Sequence, residues 1–183
     1  MSFHAFLDSI VSGDLRRIAD NWLAARGTRF MPAWRDFDPV PIGPQLRYIW
    51  AWKYDRAAQI FTGRLAGEDI TGMFGGSVHG VPMTDYFPPD IYRVFFPWMQ
   101  RVVVEPVFAR GAGLIYRRLG RNFTGERIIL PLADDGMNGD GLIGATFYNP
   151  VTAGIHQDGP HLTGEEQVDF FALDGAVADA ARA

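Results

Sequence analysis

Cysteine is absent from this 183-residue chain. Its absence excludes a disulfide scaffold, thiol catalysis and any cysteine-ligated zinc or iron–sulfur centre. It also excludes flavin photochemistry through a cysteine adduct. Lysine is almost missing: Lys53 is the single one among 17 basic residues, and the others are arginine. That bias reads as genomic base composition and carries no functional meaning. Positive charge is not in excess, because 21 acidic residues leave a net charge of −4. A nucleic-acid module normally carries a basic patch, so no nucleic-acid partner is expected. Long apolar runs are also lacking. The longest uncharged stretch, Gly141 to Gln157, is interrupted by Gly144, Pro150 and Gly154, which excludes a membrane-spanning helix there. The segment Met1 to Gly13 carries Asp8 and no basic n-region, so it does not read as a secretory leader, and a cytoplasmic setting is expected.

Catalytic and metal-binding patterns are equally scarce. The glycine-rich stretch Gly67 to Gly80 is not followed by Gly-Lys-Ser/Thr and reads as caps and turns. No Gly-x-Ser-x-Gly occurs, and Ser77 two residues before His79 does not by itself make a dyad. His156 and His161 flank Asp158, but Gly159 and Pro160 make that segment a loop, and no metal is expected. The run Asp134 to Asp140 lacks the final glutamate of a calcium loop and reads as a hairpin turn. His79 is the residue that an axial haem ligand would require; a turn histidine after Gly75-Gly76 is the simpler reading. The expectation is therefore no enzyme, no catalytic residue and no required cofactor. A reaction would need a polar cluster inside the fold, for which the strands offer Arg64, Tyr116 and Thr146.

What the chain has in quantity is aromatic side chains: 14 Phe, 6 Tyr and 5 Trp. Phe6, Ile10, Val11, Leu15, Ile18, Trp22 and Leu23 recur at helical spacing, with Ser12 as a cap, Gly13 as a point where the helix can break in two and Gly27 at the end, which reads as an amphipathic helix packed on the domain or paired with a partner subunit. Proline-punctuated sequence follows to Gly43. Leu46 to Tyr54 and Phe61 to Ala66 then read as two strands around an Asp55–Gln59 loop. Tyr48, Trp50, Trp52 and Tyr54 alternate onto one face, and Ile49 and Ala51 onto the other. A short helix is expected near Glu68 to Phe74. A longer one opens at Pro88-Pro89-Asp90, with Pro97 expected to kink or split it. Its apolar face comprises Ile91, Val94, Phe95, Trp98, Met99 and Val102. Val107–Arg118, Glu126–Ala133 and Gly141–Tyr148 read as three further strands. In the tail, Thr163 to Glu166 fits a capping box, and Val168, Phe171 and Leu173 suggest a short helix. Strands interrupted once by helices indicate an α+β domain with an antiparallel sheet.

Several motifs in this order resemble a known family. Trp22, Arg26-Gly27, Met31-Pro32 and Asp36-Phe37-Asp38-Pro39 are similar to the N-terminal signature of short stand-alone bacterial PAS-like proteins. Phe61 to Ile70 with Phe74-Gly75 resembles that family's second strand and following helix. Arg127 to Gly136 with Ile143-Gly144 resembles its fourth strand, turn and last strand. The resemblance spans roughly Trp22 to Tyr148. It implies a PAS-like five-stranded antiparallel sheet with helices on one face, here with an N-terminal helix and a short C-terminal extension. The corresponding divisions are 1–27 (helical extension), 28–149 (PAS-like domain) and 150–183 (tail, partly helical or disordered). It also implies a sensory or regulatory module that binds a small molecule between sheet and helices, or a protein partner. A chain of this length leaves no room for a kinase or cyclase, so the expected output is through a signalling partner or self-association.

Two readings of the aromatics stay open at this level. Trp50, Trp52, Phe61, Phe74, Phe95 and Trp98 either line a pocket for a small apolar ligand or haem, or form a solid core. The alternative function is a structural module that dimerises through the N-terminal helix, by Phe6, Ile10, Leu15 and Trp22.

Overall fold

A computed structural model describes residues 3–118, 121–151, 161–162 and 166–173. Two N-terminal helices, α1 (Phe3–Ser9) and α2 (Gly13–Arg26), open the chain. Ser12 caps α2, its side chain accepting from the Leu15 amide, and Asp14 lies in the first turn where the helix dipole favours a negative charge. The proline-rich connector forms 3₁₀ turns at Trp34–Asp36 and Val40–Tyr48. The expected strand from Leu46 is thus shortened. β1 (Ile49–Asp55) begins only after this turn, and Tyr48 sits outside the sheet, edge-on to Phe147.

β2 (Ile60–Ala66) completes a hairpin with β1. Three helices follow: α3 (Glu68–Phe74), α4 (Met83–Tyr86) and α5 (Pro89–Val104). The expected break at Pro97 does not occur; α5 runs through it as one helix. Its buried stripe is Ile91, Phe95, Met99, Val102 and Val103, so Val94 and Trp98 are rotated toward its rim. β3 (Val107–Arg118), β4 (Arg121–Leu132) and β5 (Gly141–Val151) are long strands. The Asp134–Asp140 segment is the expected hairpin turn, with Asp135 accepting from the Met137 and Asn138 amides.

The sheet is antiparallel throughout, in the order β2-β1-β5-β4-β3. The expected five strands become seven. β6 (His161–Leu162) and β7 (Glu166–Ala172) divide the outer edge of β3 between them. The helix expected around Val168, Phe171 and Leu173 is corrected to a strand. Val168 and Phe170 alternate onto one face and Phe171 onto the other, a period of two that satisfies the open edge of β3. The start of the suspected capping box, Thr163 to Glu165, lies outside the described residues.

The helices expected on one face, α3–α5, lie together there, and the N-terminal extension covers the other. α1 and α2 pack on one face, where Phe6, Ile10, Leu15, Ile18 and Trp22 meet Phe108, Ile128, Leu130 and Ile143. The Trp22 indole N–H donates to the Pro131 carbonyl at 2.8 Å. Glu126 projects from β4 onto the same face. It accepts from the Val11 and Ser12 amides and from Arg110, which ties the entry of α2 to the sheet. The proposed dimerisation stripe is therefore used inside the chain. Phe6, Ile10, Leu15 and Trp22 have no exposed surface, because burying them on the sheet removes the same apolar area that a partner helix would have removed. α3, α4 and α5 cover the opposite face, over Trp50, Trp52, Ala109, Ile129 and Leu142. Among the described residues, no helix is long and apolar enough to cross a membrane.

Candidate functional site

Between the sheet and α3–α5 the packing leaves a small cavity. Its free space is about 10 Å³ measured to the centre of a water-sized sphere, room for roughly one water molecule. β1 supplies Trp50 and Trp52 to its wall, the consequence of strand alternation. α3 supplies Ile70 and Phe74, and α5 supplies Ile91 and Phe95. Val78, Tyr86 and Phe87 close it from the turn and from α4, and Tyr116 and Arg127 enter from β3 and β4.

Of the six aromatics singled out in the sequence, Trp50, Trp52, Phe74 and Phe95 line this cavity. Phe61 and Trp98 do not. Phe61 is buried against Tyr54 and Phe96, further along the same core, and Trp98 stands edge-on behind Phe95. His79 is exposed, its ring beside the Arg64 carbonyl, and does not line the cavity. Arg64 is exposed as well, stacked over Trp34, so it is no inward group. His156 lies outside the described residues.

The polar end of the cavity is the part that the sequence hid. Arg127 is almost wholly buried and packs over the rings of Phe95 and Tyr116, its guanidinium carbon about 5 Å from each centroid. Its Nε lies 2.8 Å from Oε1 of Glu166 in an ion pair whose two side chains are 2% and 0% exposed. The angles fall outside hydrogen-bond geometry, so this contact is electrostatic. Nη2 of Arg127 is buried with no hydrogen-bond partner among the described residues. Burial pushes the Glu166 carboxyl up, against the opposing pull of Arg127. Burial also raises Tyr116, against the opposing influence of Arg127 and Thr146. Thr146 is fully buried and accepts from the Trp50 indole N–H at 2.9 Å. Tyr86 adds a buried hydroxyl without a partner, its pKa pushed up to about 12 by burial, so that it stays protonated.

Two close approaches make this arrangement possible. A Cβ at Gly111 would lie 2.0 Å from Oε1 of Glu166, so only glycine on β3 lets that carboxylate cross toward Arg127. A Cβ at Gly144 would lie 2.2 Å from the Trp50 ring, which rests flat over the bare backbone of β5. The signal for Arg127 was present in the alternation of β4. Glu126, Ile128 and Leu130 face α2, so Arg127 and Ile129 must face the aromatic side.

No group of three or more histidine, aspartate or glutamate side chains able to hold a metal occurs among the described residues. Comparison with curated proteins and with solved structures finds no match. A family profile described as PAS domain matches residues 11–147. That span starts just before α2 and ends within β5. It takes in every wall of the cavity, and Glu166 on β7 lies beyond it. With an antiparallel sheet that matches the expected architecture and a family profile covering most of its length, the chain belongs to the PAS domain family.

Proposed function

We propose that this PAS domain is a sensory or regulatory module that binds a small molecule in the cavity between β1, β4 and α3–α5, and that it catalyses no reaction. The observation that carries this reading is the Arg127 guanidinium: buried in an aromatic enclosure, yet with Nη2 unpartnered. A buried donor without an acceptor costs about 1–3 kcal/mol, more when the group is charged. A filled core would be expected to avoid that cost, whereas a ligand atom would relieve it. A single water fits the unliganded space. A larger guest needs the two lining aromatics that are not fully buried, Phe74 at the end of α3 and Tyr86 on the four-residue α4, to swing outward. Such ring movement against short helices is the means by which occupancy would reach the surface and a signalling partner.

The test is direct. Protein purified under native conditions is denatured and its extract analysed by mass spectrometry, alongside a thermal-shift screen of small apolar and aromatic compounds. The reading expects a co-purifying compound or a set of compounds that raise Tm. An empty extract together with a flat screen would overturn it.

A further inference from the structure

We infer that the molecule recognised here is a small, flat, uncharged compound carrying one hydrogen-bond acceptor, a ketone or amide carbonyl for example, seated on Nη2 of Arg127. This rests on the pocket reading above and names its ligand class. Three observations lead to it. First, the positive charge of Arg127 is already balanced by Glu166 at 2.8 Å, with both side chains buried. A ligand carboxylate would bring a second negative charge into the same dry space, where an uncompensated ion is strongly disfavoured. A carbonyl oxygen would take the free donor without adding charge. Second, the walls nearest the guanidinium are ring faces, Trp50, Phe95 and Tyr116, which favour a flat apolar body. Third, Tyr86 holds a second buried polar atom without a partner, and its hydroxyl stays protonated, so it can offer one more neutral hydrogen bond. Arg127 Nη2 and the Tyr86 hydroxyl thus offer open donors suited to a neutral guest, while the Glu166 oxygens, also without hydrogen bonds, face the guanidinium as its counter-charge.

Glu166 lies past the residues that match the family profile, on β7. The charge balance that selects a neutral ligand is therefore set by this chain's own C-terminal strand.

Acetophenone, benzoate and toluene share a ring and differ in the group offered to Arg127. Each is titrated into the full chain, followed by calorimetry and by the indole N–H signal of Trp50 in nitrogen-15 NMR. Acetophenone is expected to bind at least about tenfold more tightly than either of the others, a difference of about 1.4 kcal/mol. The same titrations in Arg127→Lys, and in the double variant Arg127→Met/Glu166→Met, are expected to lose the advantage of acetophenone over toluene. The double variant removes both charges together, so it remains a folded control if the lysine variant does not fold. Benzoate binding as tightly as acetophenone would overturn the neutral class while leaving the pocket reading in place. Toluene equal to acetophenone, or a ketone preference that survives in the double variant, would overturn recognition by Arg127. Absence of binding by all three would count against the pocket itself.

Discussion

Replacing Glu166 by Gln keeps the shape of β7 but leaves the Arg127 guanidinium buried without its counter-ion. The two side chains are 2% and 0% exposed and 2.8 Å apart, so neither solvent nor another described acidic group takes over the lost charge. Removing one member of such a pair destabilises a protein by about 3–5 kcal/mol, whereas replacing both by apolar groups of similar volume is roughly neutral. The expected pattern is therefore a loss of about 3–5 kcal/mol in Glu166→Gln, a similar loss in Arg127→Met, and little or none in Arg127→Met/Glu166→Met. For a chain of this size, 1 kcal/mol moves Tm by about 2–4 °C, so the single variants should melt visibly earlier. Urea unfolding of all four proteins, followed by tryptophan fluorescence, gives the coupling as the departure from additivity. Additive effects, or a Glu166→Gln midpoint equal to that of the natural chain, would refute the buried pair and with it the docking of β7 over β3.

Three other outcomes follow from the geometry. Gly111→Ala places a Cβ 2.0 Å from Oε1 of Glu166; it should cost about as much as Glu166→Gln in urea unfolding and add little when combined with it, about 3–5 kcal/mol in either case. Tyr86 and Tyr148 both have pKa values pushed up to about 12 from 10.0, chiefly by burial. The folded state holds those protons more tightly than the unfolded one, so the stability they contribute is complete below pH 10 and is lost as pH rises from 10 toward 12. Urea midpoints measured across that window should fall, and less steeply in Tyr86→Phe/Tyr148→Phe. Deleting residues 1–26 exposes Phe108, Ile128 and Leu130, which α1 and α2 cover; the truncated chain should bind a hydrophobic dye and lose its cooperative transition in circular dichroism, where a dispensable dimerisation arm would leave both unchanged.

The elements that the sequence made legible are those with one strong local period. α2 could be read from Ser12, Leu15, Ile18 and Trp22, β1 from its alternating tryptophans, and the β4–β5 turn from Asp135-Gly136. The misreadings share a cause: a choice among partners that no local pattern encodes. An apolar stripe on α2 states that the helix is covered and not by what; of the two readings, packing on the domain and pairing with a partner subunit, the structure shows the first. β7 carries a helical spacing of apolar residues and also an alternating one, and the open edge of β3 decides between them. Pro97 was expected to break α5. Instead the buried stripe from Ile91 to Val103 holds the helix together through it. At the site, four aromatic walls were found from alternation and helical spacing. Arg127 and Glu166 were not, because they are separated in sequence and meet only when β7 crosses Gly111 on β3.

The most direct test of the account is a crystal structure of the full chain soaked with acetophenone. The account predicts density for the ring against Trp50 and Phe95, in the space opened by Phe74 and Tyr86 displaced outward, with the carbonyl oxygen about 3 Å from Nη2 of Arg127, an ordinary hydrogen-bond distance. An unchanged, empty cavity at saturating ketone, or a ketone bound with its oxygen away from Arg127, would contradict it.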